Sequence, residues 1–146
     1  MATIKRSTQI NVSVEKVYSY LSDHNNEPEW MPGMIEVKKM TESGPGFNVG
    51  DHYKWKYKMA GMIFDGESTI IEIVHNKKIV TESKLGIKST FTFILEPKNE
   101  STILDLTIDY TVPVPVLGKI AEKVILKKNE SETDLAMENI KTNLEN

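Results

Sequence analysis

The chain has 146 residues, 39% of them hydrophobic and 27% charged, with a formal net charge of −3; this balance fits one globular domain over residues 1–146, not a disordered segment. There is no cysteine, which excludes disulfides, thiolate metal sites and cysteine nucleophiles. Arg6 is the only arginine and the net charge is negative, so neither nucleic-acid binding nor a bidentate phosphate site is expected.

The opening MATIKRSTQI lacks the apolar core of a secretory signal, and no apolar run is long enough to span a bilayer. A cytoplasmic location follows as the default. Residues 3–12 (TIKRSTQINV) read as a strand. Ser13 is placed to cap a helix, with Val12 and Val17 at the spacing of a hydrophobic staple. Val14, Val17, Tyr18 and Leu21 recur at i, i+3, i+4 and i+7, which predicts an amphipathic helix over 14–22. Asp23 and HNNEPEW break it, a second short helix falls near 26–31, and Pro32-Gly33 ends that one.

Strands follow at 34–41 and 51–59, separated by the loop ESGPGFNVG. The second has the clearest pattern in the chain: Tyr53, Trp55, Tyr57 and Met59 alternate with Lys54, Lys56 and Lys58, giving one aromatic face and one lysine row. Ala60-Gly61 turns into a strand over 62–74, with a bulge expected at Gly66. His75 to Lys78 form a hairpin loop, and strands at 79–84, 88–96 and 102–112 complete the series. In the last two, Phe91, Phe93 and Leu95 share one face, as do Leu104, Leu106, Ile108 and Tyr110.

Pro113 and Pro115 stop the last strand, and a long helix is predicted from Leu117 to about Asn143. Its apolar stripe begins with Leu117, Ile120, Ala121 and Val124 and resumes with Leu135, Met137, Ile140 and Leu144. The polar middle, LKKNESET, is expected to bend the helix or to lie outside the groove it fills. Short turns demand antiparallel pairing, and a one-sided sheet must cover its apolar face. Only the terminal helix is long enough to do so. The expected fold class is α+β: a curved antiparallel sheet of about seven strands wrapped around a long C-terminal helix, with two short helices after the first strand.

That order resembles the START-like, or SRPBCC, superfamily of helix-grip proteins, which includes polyketide cyclase/dehydrase-like members. INVSVEKVYSYLSDHNNEPEW resembles its opening, with Asp23 and Trp30 in place; FNVGDHYKWKYKM resembles the approach to its aromatic strand. VPVLGKIAEKVI and MENIKTNLEN resemble the start and end of its last helix. The loop ESGPGFNVG is not the glycine-rich loop of the plant members. The resemblance implies an apolar cavity between sheet and helix, and ligands that are lipids, isoprenoids or polyketides.

Candidate cavity residues are Tyr53, Trp55, Tyr57 and Met59, then Phe91, Phe93, Leu106, Ile108 and Tyr110, with Leu117, Ile120 and Val124 from the helix. Trp30 is placed as a plug or a gate at the mouth, and Met31, Met34, Met59 and Met62 near the entrance. His24, His52 and His75 show no metal-binding spacing, so no metal or other cofactor is expected, and His52 shares the solvent parity of the lysine row. The strand carboxylates are expected on the outer face opposite the lysines, with Asp65 and Glu67 ambiguous around Gly66. Lys119, Lys123, Lys127 and Lys128 give the helix a basic stripe whose ordinary role is solvation, with at most transient membrane contact. Two functions fit. The first is a binding or carrier protein for a hydrophobic small molecule. The second is a cofactor-free polyketide cyclase, aromatase or dehydratase, which needs an inward-facing acid/base pair; strand parity identifies none.

Overall fold

The computed structural model describes residues 2–111 and 122–146. Seven strands form one antiparallel sheet in the order β1-β7-β6-β5-β4-β3-β2. They are β1 (Ala2–Ile10), β2 (Met34–Lys39), β3 (His52–Met59), β4 (Met62–Val74), β5 (Lys78–Leu85), β6 (Ser89–Lys98) and β7 (Ser101–Tyr110). Between β1 and β2 come α1 (Val14–Ser22), a 3-10 turn (His24–Asn26) and α2 (Glu27–Trp30). The long helix α3 (Glu122–Glu145) follows. Among the described residues, no helix is long and apolar enough to cross a membrane.

Alternation decides which face each strand buries. Along β7, Thr102, Leu104, Leu106, Ile108 and Tyr110 are buried and the residues between them are half-exposed. Along β3, Tyr53, Trp55 and Met59 are buried, Tyr57 is partly so, and Lys54, Lys56 and Lys58 face solvent. The helix-side face of the sheet is therefore mainly apolar, and α1 and α3 supply its cover. Val17 and Leu21 seal α1 against the core. Ser13 occupies the cap position in extended backbone, but it works through its carbonyl, which accepts from Lys16 and Val17, and its side chain makes no cap bond.

The inward stripe of α3 is Ile125, Asn129, Thr133, Ala136, Met137 and Ile140. Its C-terminal half is fastened to three other elements. Lys141 Nζ donates to the Gln9 carbonyl at 2.7 Å, Asn139 Nδ2 to the Trp30 carbonyl at 3.2 Å, and Asn143 Nδ2 to the Tyr20 hydroxyl at 3.0 Å.

Three expectations need correction. No bulge falls at Gly66, which pairs in continuous register with Trp55; the irregularities lie between β4 and β5, at Glu67/Ser68 and Ile70/Glu72. Leu135 is 47% exposed, and the adjacent Ala136 takes the inward position. β1 closes at Ile10, two residues earlier than its composition suggested. Leu117, Ile120 and Ala121 lie outside the described residues.

Candidate functional site

A cavity of about 90 Å³ lies between the helix-side face of the sheet and α3. Typical sites for drug-sized ligands occupy about 300–1,000 Å³, so a multi-ring or long-chain ligand must push these walls apart. Met31, Met34 and Met59 are part of the wall, and flexible thioether side chains can adjust to such a load.

β3 contributes Tyr53, Trp55, Tyr57 and Met59, β6 contributes Phe91 and Phe93, and β7 contributes Ile108 and Tyr110. Each of these eight follows from strand parity. Of the other five sequence candidates, the three that are described stand elsewhere. Leu106 is buried in the core away from the cavity wall. Trp30 is only 2% exposed, packs edge-on against Phe93 at 5.8 Å and is not among the residues lining the cavity. Val124 is 69% exposed, because the helix phase turns its neighbour Ile125 inward. Leu117 and Ile120 lie outside the described residues.

The polar residues that α2 and α3 bring to the wall are invisible to strand parity. Glu27, Glu132, Asn129, Thr133, Ser68 and Thr81 all line the cavity. Glu27 opens α2 and is held from behind: His24 Nδ1 lies 2.8 Å from its Oε1, and the Tyr53 hydroxyl donates to the same oxygen at 3.0 Å. His24 stacks on Tyr53 with centroids 4.9 Å apart, and Phe47 meets both rings edge-on. The ESGPGFNVG loop thus supports the site by delivering Phe47. On the opposite side, the Tyr57 hydroxyl donates to Glu132 Oε2 at 3.1 Å, and Asn129 Nδ2 donates to the Tyr110 hydroxyl at 3.2 Å. Asn129 Oδ1 is buried with no partner among the described residues.

Burial drives the tyrosine pKa values up: Tyr53 well above its usual range, with the Glu27 carboxylate adding to the rise, and Tyr57 strongly, with Glu132 adding to it. Both phenols keep their protons, and both protons are committed to carboxylates. Trp55 carries the middle of the row. Its Nε1 donates to Ser68 Oγ at 2.9 Å, and its ring fits only because residue 66 has no side chain.

Asp65 and Glu67 pair in register with Lys56 and Lys54 on the outer sheet face and line no part of the cavity. Among the described residues, no three His, Asp or Glu side chains are grouped to hold a metal ion. His24 is the histidine with an internal role. Strand parity could not find it, because it sits in the 3-10 turn, and Asp23 caps that turn by accepting from Asn25.

A seven-stranded antiparallel sheet gripping a long C-terminal helix defines the helix-grip class. Within it, this chain belongs to the family described as polyketide cyclase/dehydrase and lipid transport, whose model matches residues 1–145. The fold is shared with TTHA0849 from Thermus thermophilus at 15% identity and a TM-score of 0.81, covering 98% of this chain and 97% of that one. Zhui aromatase/cyclase from Streptomyces sp. R1128 aligns at 13% identity and a TM-score of 0.77, covering 99% and 93%. A START superfamily protein from Mycobacterium smegmatis aligns at 19% identity and a TM-score of 0.71, covering 97% and 98%. No curated protein sequence matches the chain.

Proposed function

We propose that the protein binds and carries a hydrophobic small molecule in the cavity between sheet and α3. The observation that supports this reading is the wall itself. Aromatic, methionine and isoleucine side chains make up most of it, with polar groups set among them. Burial of apolar ligand surface, at roughly 25 cal/mol per Å² before ordering costs, supplies the affinity. The polar groups set orientation. Native mass spectrometry of the purified protein, followed by solvent extraction, tests the proposal. A discrete adduct that leaves on denaturation and partitions into organic solvent is expected. A bare protein that also takes up no neutral apolar compound would end it.

A second reading, cofactor-free cyclisation or dehydration of a polyketide-like chain, draws on one specific feature. Glu27 commits Oε1 to His24 and Tyr53, while no hydrogen bond to Oε2 is found among the described residues. A carboxylate held in that way can take a proton from a carbon acid folded against Trp55. Glu27→Gln should then abolish turnover of a poly-β-keto thioester and leave its binding within about threefold. Equal turnover by the variant excludes Glu27 as the base.

A further inference from the structure

The charged groups of the wall, Glu27 and Glu132, have one sign, while the hydroxyls of Tyr110, Ser68, Thr81 and Ser89 supply its donors. Tyr53 and Tyr57 donate their only hydroxyl protons to Glu27 and Glu132, so each phenol oxygen keeps lone pairs and no free proton. Glu27 and Glu132 each retain an oxygen that makes no hydrogen bond among the described residues. Asn129, itself 9% exposed, adds a buried Oδ1 that accepts from nothing described. Trp55 turns its one N–H away to Ser68, and Thr133 directs its hydroxyl to the Asn129 carbonyl. No lysine, arginine or histidine is among the described residues that line the cavity. Beside its hydroxyl donors the wall thus presents unpartnered acceptors and negative charge that no lining cation among the described residues balances, and an unpaired buried acceptor is costly until a donor reaches it.

The acceptors form two groups. Tyr53 and Tyr57 stand four residues apart on one face of β3, roughly 13 Å along the strand backbone, and lead one to Glu27 and the other to Glu132, with Trp55 between them in sequence.

Building on the carrier reading, we infer that this cavity selects molecules that are neutral or cationic and that carry hydrogen-bond donors, such as hydroxyls, phenols or amines, on an apolar body, and that it rejects carboxylates. A ligand donor at the α3 end satisfies Glu132 or Asn129; one at the α2 end satisfies Glu27. A cationic group gains further from the aromatic faces. A carboxylate brings a third negative charge and more acceptors, so free fatty acids and polyketide acids are excluded as cargo. Alcohols, phenols and amines remain.

Isothermal titration calorimetry at pH 7 with naphthalene, 2-naphthol, 2-naphthylmethylamine and 2-naphthoate tests this selectivity, since the four share one apolar body. The naphthol and the amine should bind at least about tenfold more tightly than the naphthoate. Glu132→Gln should narrow that gap through stronger naphthoate binding, a gain that damage to the fold does not produce. Naphthoate binding equal to or tighter than naphthol binding, with naphthalene also bound, overturns the inference and leaves the carrier reading standing. If none of the four binds, naphthalene included, both fall.

Discussion

The Trp55 indole lies across the backbone of Gly66 on the neighbouring strand, so close that a Cβ added at Gly66 would fall 2.0 Å from Cζ2 and 2.2 Å from Cη2. Gly86, in the turn after β5, flanks the same ring, and a Cβ there would fall 2.9 Å from Cη2. The position of the central aromatic of the cavity therefore depends on a missing side chain on the adjacent strand.

Gly66→Ala should displace the indole, break its bond to Ser68 and destabilise the fold by about 1–3 kcal/mol, the usual cost of overpacking. Two tryptophans report on this protein, so the measurement belongs in a Trp30→Phe background, where Trp55 alone fluoresces. A red-shifted emission and a lower Tm are expected. Unchanged emission would mean that the ring tolerates the methyl group and that the close fit carries no energy.

Trp30 itself offers a separation of shape from polarity. Its Nε1 is buried and unpartnered among the described residues, while its ring packs on Phe93. Trp30→Phe removes the stranded N–H together with part of the ring, and should change stability by no more than about 1.5 kcal/mol. Trp30→Ala leaves a cavity and should cost about 3–5 kcal/mol. Urea unfolding of the two variants measures the contrast; equal losses would show that the ring contributes nothing beyond its first carbon.

Tyr57 and Glu132 join β3 to α3 across the cavity. Tyr57→Phe and Glu132→Gln should each cost about 1 kcal/mol, and the double variant should show a coupling of about 0.5–1.5 kcal/mol. A coupling near zero would mean that the two groups are independently solvated.

Asp51 predicts a sign for acid sensitivity. Its carboxyl is held well below its usual value by hydrogen bonding from Ser43, the Asn48 amide and Thr41, with the Lys39 charge assisting, against an opposing effect of burial. A folded-state pKa below the unfolded one means that the charged form favours the fold. That contribution is complete above the unfolded value of 3.8 and is lost as pH falls below it. The wild-type protein should therefore lose more stability between about pH 4 and pH 2 than Asp51→Asn does. Parallel slopes in denaturation series would remove Asp51 as the cause. Because the same loop carries Phe47 to His24 and Tyr53, Asp51→Asn should also loosen the Glu27 end of the cavity.

Strand parity is enough to place the aromatic wall. With a period of two, the inward position of Tyr57 follows from that of Tyr53, and the eight strand candidates share this logic. The helix contribution is harder to read, for a specific reason. LKKNESET looks like a solvated stretch because its charges dominate the composition. Yet Asn129, Glu132 and Thr133 recur at i, i+3 and i+4, the spacing of one helix face. Apolar periodicity alone cannot register a polar face that points inward. Glu27 is hidden for a different reason. It lies in a turn-rich segment with no period, and only the return of α2 against β3 brings it to Tyr53.

β1 has one consequence for how the molecule assembles. It is made before the other six strands of the sheet, yet its strand partner is β7, with Ala2 opposite Tyr110 and Ile10 opposite Thr102. The first strand made must wait for nearly the whole sheet to be synthesised before it can dock, and α3, which grips it through Gln9 and Asn11, arrives later still. Such distant pairings close large loops and slow folding. The chain is thus expected to form its β3–β4–β5 meander early, from hairpins, and to gain its cavity only in the final step of folding, when both ends of the sequence meet.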